Sequence, residues 1–348
     1  MVKENNKISR VLVVKFRYHG DMILTTPLIS SLKKSYPASK IDILLYEDTA
    51  PVLSYNEDIN KLYTLSRKKD SLIEKIKESF LVFKTLRKNN YDLVINLADQ
   101  WPIALMTSFL PSKRIGVYKG DKIKGKIWSR FFDKTVRVNA EEHIVLQNLS
   151  FLENECIRTT KLSMHYSKDD TKILSKIPPE SIGNYILIQP TTRQYYKYWD
   201  NDKFSIVINH FKESGFEVIL TSGPSQHEKD IVYDIFKQCK AKPFISLAGE
   251  TSFPELAVLI DNAKLFIGLD SAPMHMAAAL ETPVVALFGP TDHKVWRPWT
   301  ENYRQLWAGD YEKMPDNADY NKSIKYLSCI PAQDVICAAE ELIKKVYR

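Results

Sequence analysis

The chain has 348 residues, 44% of them hydrophobic and 26% charged, which is enough for two ordinary α/β domains, each with its own core. Its net charge of +7 suits an acidic partner such as a nucleotide, a phosphorylated sugar or an anionic lipid surface, and no nucleic-acid-binding module is recognisable. Four well-separated cysteines with no CxxC or Cys/His cluster speak against disulfides and zinc and fit a reducing cytoplasm. Residues 1–10 hold no apolar signal core, and no run reaches the ~20 apolar residues of a membrane helix.

In chain order, short β-branched runs alternate with helical patterns, which predicts doubly wound parallel sheets. A strand at 11–16 precedes a helix at 22–35, a strand at 41–45 and a helix near 71–88. Segments at 93–97, 101–109 and 114–117 follow, then a helix near 141–153. A second series runs through strand 185–189, helix 202–213, strand 217–222, helix 228–238, strand 265–268, helix 273–280 and strand 284–288. Between the two series, 167–184 reads as a linker containing Pro178, Pro179 and Gly183, and 331–346 is an amphipathic helix. The domains are therefore expected at 1–170 and 171–330, with 331–348 as a terminal helix. Two such halves predict an interdomain cleft, with ligands beyond the carboxyl ends of the strands.

The turn after the first strand reads Phe16-Arg17-Tyr18-His19-Gly20-Asp21 and lacks the G-x-G-x-x-G of a dinucleotide site. Gly20 permits a tight turn, and Asp21 falls at a helix start, either as an ordinary cap or as a general base. A second glycine pattern, from Gly120 to Lys126, spells G-x-x-x-x-G-K but continues with Ile127 where a P-loop needs Ser or Thr. Its Lys122 and Lys124 read as a solvated loop.

In the second half, Gln189-Pro190-Thr191-Thr192-Arg193 ends a strand, with Lys197 nearby to hold a diphosphate. The strongest local pattern is Gly268-Leu269-Asp270-Ser271-Ala272-Pro273-Met274-His275, in which a buried strand stops and a proline opens a helix. Such a helix start offers free amides and a positive dipole end to a phosphate, although an ordinary capped helix reads the same way. After the next strand come Gly289, Pro290 and Thr291, a further turn on the same edge.

Together these segments resemble glycosyltransferase family 9, the ADP-heptose:lipopolysaccharide heptosyltransferases. The resemblance rests on His19-Gly20-Asp21-Met22 with Thr25-Thr26-Pro27, on 190–193 with Lys197 and Trp199, on Asp270-Ser271 with His275, and on 286–291. The opening stretch, through 28–33 and 41–46, is most similar to the side-branch enzymes of the inner core.

The resemblance implies a GT-B fold of two facing Rossmann-like domains, the N-terminal half taking the acceptor and the C-terminal half the donor. It implies an inverting transfer of heptose from ADP-L-glycero-D-manno-heptose to an inner-core heptose hydroxyl of lipopolysaccharide. No metal is implied, and no cofactor beyond ADP-heptose as co-substrate. Asp21 matches the proposed base. Thr191, Thr192, Lys197, Ser222, Gly223 and Gln226 match the donor site, as do Asp270, Ser271, Ala272, Met274, His275, Gly289 and Thr291. Arg17, His19, Gly20, Lys122 and Lys124 are assigned to a phosphorylated, lipid-linked core oligosaccharide, together with Arg67, Lys68 and Lys69 on the same basic surface.

The implied location is cytoplasmic, with peripheral contact at the inner membrane surface, and the terminal helix is expected to cross back to the N-terminal half. The chain departs from the family at Ala272, where glycine is common. It also lacks a clear ribose-binding acid after strand 217–222, a place open to Gln226 or Glu228. Two other readings stand beside this one. A nucleotide-sugar epimerase would release free sugar without an acceptor, and a non-catalytic nucleotide-binding protein of envelope assembly would turn nothing over.

Overall fold

The computed structural model describes residues 8–68, 71–242, 244–315 and 320–347, so Lys69 and most of 1–10 lie outside the described residues. The chain divides into two compact units, Met1–Ser163 and Met164–Arg348, a division that falls before the boundary expected after residue 170.

The first unit is built from β1 (Arg10–Val14), α1 (His19–Ile23), α2 (Thr26–Ser35), β2 (Lys40–Tyr46), β3 (Lys61–Leu65) and α3 (Leu72–Lys88). It continues with β4 (Leu93–Asn96), α4 (Trp101–Ser108), β5 (Lys113–Val117), α5 (Ile123–Ser129), β6 (Lys134–Val136) and α6 (Ile144–Leu149). The six strands form one sheet in the order β3-β2-β1-β4-β5-β6, parallel throughout.

The second unit contains β7 (Tyr185–Gln189), α7 (Asn201–Glu213), β8 (Glu217–Ser222), α8 (Gln226–Gln238), β9 (Phe244–Ala248) and α9 (Phe253–Asp261). Then come β10 (Leu265–Leu269), α10 (Ala272–Ala279), β11 (Val284–Phe288), β12 (Tyr303–Trp307) and α11 (Ala332–Val346). Its sheet is also parallel, in the order β12-β11-β10-β7-β8-β9.

Parallel strands covered by helices on both faces need unbroken apolar runs. The central strands supply them: YILIQ in β7, LFIGL in β10 and VVALF in β11 are buried at every position. The expected strands coincide with these. The strands absent from the sequence reading, β3, β6, β9 and β12, are each the last or next partner at a sheet edge, and KLYTL, KTV and YRQLW mix polar with apolar residues. An edge strand has one neighbour and less burial, so its sequence carries less pattern.

The helix expected at 22–35 is broken. Thr25 Oγ1 donates to the Asp21 carbonyl at 2.7 Å, and Pro27, which has no N–H to continue a helix, opens α2 instead. The glycines with left-handed φ are Gly120, Gly183, Gly215 and Gly249. Gly20 is not among them and sits inside α1, so its role is not the tight turn expected of it.

The last helix, expected to reach back to the N-terminal half, buries its apolar face in the second unit. Val335, Ile336, Ala339 and Leu342 join the core formed by α7 and the β7–β10 strands. No helix among the described residues is long and apolar enough to cross a membrane. Leu342→Ala should lower stability by about 2–5 kcal/mol, the usual result of truncating a fully buried leucine. Chemical denaturation followed by circular dichroism checks this, and an unchanged midpoint would remove α11 from the core.

Candidate functional site

In a doubly wound sheet, the loops at the carboxyl ends part company where the strand order reverses, leaving a crevice there. The second sheet reverses between β7 and β10, the first between β1 and β4.

In the second unit, Lys197, from the turn after β7, extends its ammonium to Asp270, from the turn after β10. The Nζ–Oδ2 distance is 2.6 Å, with side chains only 16% and 8% exposed. Beside this pair, α10 begins. Ser271 provides no side-chain cap; its hydroxyl donates backward to the Leu269 carbonyl at 3.1 Å. The first-turn amides of α10 thus meet the edge of the sheet with the helix dipole behind them, an arrangement suited to an anion. Ala272 has no left-handed φ, the non-glycine residues of that kind being Asn90 and Glu281, so a glycine is not required at 272. Met274 and His275 are buried in α10, which makes Met274 a packing residue rather than a surface contact.

A chain of polar side chains runs under the same edge. Thr221 Oγ1 donates to Gln189 Oε1 at 2.6 Å, Gln189 Nε2 to Thr191 Oγ1 at 3.0 Å, and Thr191 Oγ1 to Glu228 Oε1 at 3.0 Å. Glu228 also accepts from Ser225 Oγ and from the Gly223 amide, at 2.8 and 3.3 Å. A Cβ at Gly223 would stand 2.4 Å from Glu228 Oε2, so only glycine lets this carboxylate reach the strand end. Gln226 is exposed and donates along its own helix to Asp230 at 2.7 Å, while Glu228 turns under the strand ends to Thr191. The Thr191 hydroxyl is turned inward, and Thr192 is buried as well.

Ser222 is buried with its hydroxyl on the Gly223 carbonyl. After β11, Gly289 packs so closely that a Cβ would meet Leu327 Cδ1 at 2.8 Å, and its carbonyl accepts from the Trp307 indole at 3.0 Å. Thr291 follows, half-buried, ahead of Asp292, which accepts the amides of Lys294 and Val295.

The first unit repeats the plan with different residues. Arg17, after β1, pairs with Asp99, after β4, at 2.7 Å. Asp21 is the third residue of α1 and half-buried; its Oδ2 accepts the Tyr18 amide at 3.3 Å. Behind it lies Lys15, 5% exposed, whose ammonium donates to Asn148 Oδ1 at 3.2 Å. Burial pulls the Lys15 pKa below its ordinary value, Asp21 opposes that, and Arg17 adds to it.

His19 Nε2 meets the Asp48 carbonyl at 2.8 Å. Arg67 lies 3.9 Å over the Tyr46 ring and 4.9 Å over Tyr18, and it donates to the Arg17 carbonyl. Lys119, rather than Lys122 or Lys124, turns to this edge: its ammonium donates to the Asp99 carbonyl at 2.5 Å and sits 3.6 Å over Trp128. Lys122 and Lys124 are exposed at the start of α5. In the P-loop-like stretch, a Cβ on Gly125 would lie 2.0 Å from the Gly120 carbonyl, so the glycine pair serves close backbone packing.

Lys15, Asp99 and Glu228 are the residues sequence reasoning passed over or left undecided. Each follows a central strand or opens the next helix, and each becomes visible once the strand order is known.

The family model for glycosyltransferase family 9 (heptosyltransferase) matches residues 80–327. The chain is 50% identical over 333 residues to lipopolysaccharide heptosyltransferase 3 of Escherichia coli (strain K12), covering 94% of this chain and 96% of that protein. Among solved structures, the glycosyl transferase family 9 protein from Veillonella parvula DSM 2008 superposes with a TM-score of 0.81 at 23% identity, over 97% of this chain and 98% of its own. The E. coli heptosyltransferase WaaC, solved with ADP and also with ADP-2-deoxy-2-fluoro heptose, gives 0.75 and 0.73 at 20% identity, over 97% of this chain and 99% of its own. At such identities the structures speak to the fold alone, and that fold is the pair of Rossmann-like sheets of the GT-B class. The family match over most of the sequence, with a relative identical at half of its aligned positions, makes this chain a member of glycosyltransferase family 9, the heptosyltransferases.

Proposed function

We propose that this protein transfers heptose from ADP-L-glycero-D-manno-heptose to a heptose hydroxyl of the lipopolysaccharide inner core, with inversion at the anomeric carbon. The observation that carries the donor side is the uncapped start of α10 beside the Lys197–Asp270 pair at the reversal of the second sheet. The identity with lipopolysaccharide heptosyltransferase 3 supports the acceptor class, and WaaC with ADP supports the nucleotide. In this reading the N-terminal unit takes the phosphorylated, lipid-linked acceptor and the C-terminal unit takes the donor. The reaction belongs on the cytoplasmic side, where the nucleotide-sugar is made.

Asp21 acts as general base. As the acceptor oxygen attacks the anomeric carbon from the face opposite the diphosphate, its proton passes to the Asp21 carboxylate. The bond from the anomeric carbon to the phosphate oxygen breaks, and ADP leaves with the electron pair. Lys15 lies buried behind Asp21, where its ammonium is held by Asn148.

Charge growing on the leaving diphosphate meets the Lys197 ammonium, Thr192 and the α10 amides, a preorganised set that stabilises the transition state electrostatically. Asp270 aims Lys197. These donors carry the charge in a metal-independent mechanism. Glu228, held by Thr191, Ser225 and Gly223, accepts from the ribose hydroxyls in this reading.

Incubation with ADP-heptose and a set of truncated core oligosaccharides, read by mass spectrometry, tests the whole reading. One heptose should be added to one acceptor, whereas free sugar released without acceptor would indicate an epimerase and no turnover a binding protein. Asp21→Ala should reduce kcat by roughly 10²-fold or more while calorimetry finds ADP binding intact; near-normal turnover would defeat the base assignment. Lys197→Ala should lower kcat by roughly 10²–10³-fold, the scale of losing one preorganised donor. An effect confined to acceptor KM would move Lys197 out of the donor site.

A further inference from the structure

We infer that Gln189 is a positioning residue for nucleotide binding: through Thr191 it holds the Glu228 carboxylate so that Oε2 is the atom offered to a ribose hydroxyl. That role rests on the proposed contact between Glu228 and the ribose. Gln189 closes the apolar run YILIQ of β7, and Thr221 lies on the neighbouring strand β8. Both are buried, as is Thr191. A primary amide withdrawn from water is unfavourable unless each end finds a partner, so packing alone gives no reason for a glutamine at this place.

The hydrogens in this chain of side chains run in one direction. A carboxylate has lone pairs and no proton to give, so the hydrogen between Glu228 Oε1 and Thr191 Oγ1, 3.0 Å apart, belongs to the threonine. A hydroxyl has a single proton. Thr191 Oγ1 therefore accepts on its other side, and the Gln189 amide nitrogen, 3.0 Å away, donates to it. With its nitrogen so placed, the amide turns Oε1 toward Thr221, whose hydroxyl donates at 2.6 Å. The opposite amide orientation would draw the Thr191 proton back to Gln189 and set the lone pairs of Thr191 and Glu228 against each other at 3.0 Å. Thr221, Gln189 and Thr191 thus form a relay that ends on Glu228.

The relay decides which carboxylate oxygen is left for a ligand. Oε1 accepts from Thr191 and from the Gly223 amide, at 3.0 and 3.3 Å. Among the described residues, Oε2 accepts from Ser225 alone, at 2.8 Å. Glu228 is half-buried in the first turn of α8. Its freer oxygen keeps a lone pair for a sugar hydroxyl, whereas Oε1 is already occupied. A carboxylate pinned through one oxygen before the nucleotide arrives loses little freedom on binding. Such a preorganised acceptor discriminates most sharply against a ligand that lacks the matching hydroxyl. The Thr191 proton, committed to Glu228, is not available to a diphosphate.

Calorimetry of the full chain with ADP, 2′-deoxy-ADP and 3′-deoxy-ADP tests this, with no sugar acceptor present. Wild-type protein should prefer ADP to at least one deoxy analogue by about tenfold or more. Gln189→Met, of similar volume but without polar ends, and Thr191→Val, isosteric but without a proton, should each lower that preference by about fivefold or more. Thr191→Ser keeps the hydroxyl and should stay within about twofold of the wild-type preference. A role in packing alone would weaken ADP and the deoxy analogues together and leave their ratio unchanged. That result, or a serine variant no better than the valine one, would overturn the inference. The Thr191 pair remains decisive if Gln189→Met does not fold. Glu228→Gln should erase the preference. If it does not, or if wild type shows none, the ribose contact itself is wrong and the relay falls with it. If Glu228→Gln erases the preference while Gln189→Met and Thr191→Val retain it, the ribose contact stands and only the relay falls.

Discussion

A lysine ammonium and an aspartate carboxylate, both largely withdrawn from water, meet 2.6 Å apart where the second sheet reverses its strand order. Neither charge is comfortable alone at such a depth. Removing one partner of a buried pair typically costs about 3–5 kcal/mol, because the other is left desolvated. The pair therefore ties the loop after β7 to the start of α10 and fixes the direction of the Lys197 side chain. Beside it, Ser271 does not cap α10 with its side chain. The site is a set of positive groups held in place by one negative one.

The first unit solves a similar problem with more exposed partners. Arg17 and Asp99 join the two turns that flank the reversal at β1 and β4, but both side chains are more than 40% exposed, so solvent screens the pair and its contribution to stability is small. Its weight lies in position: it holds the turn that leads to Asp21. Lys15 is a buried charge in this unit, held by Asn148.

Much of this was legible in the residues. The central strands β1, β7, β10 and β11 are unbroken apolar runs, and such runs have few alternatives to a buried parallel sheet. The turns that carry Asp21, Thr191, Asp270 and Gly289 follow those runs directly, so a list of candidate positions came with the strands. The edge strands β3 and β12 were not legible, because a strand with one neighbour is under weaker demand for apolar side chains. The direction of individual side chains was not legible either. Gln226 and Glu228 are two residues apart at the start of α8. The spacing turns one along the solvent side toward Asp230 and the other under the strand ends toward Thr191.

The sequence by itself determined two parallel-sheet halves, the turns at their strand ends and the family to which they belong, because these follow from local pattern and short motifs. Tertiary structure decided which of those turns become neighbours. Lys197 finds Asp270 across 73 residues, Arg17 finds Asp99 across 82, and α11 closes the second unit's core rather than standing apart from it. Such pairings depend on the order in which strands enter a sheet. No local propensity encodes that order, and it is settled only when the whole core packs.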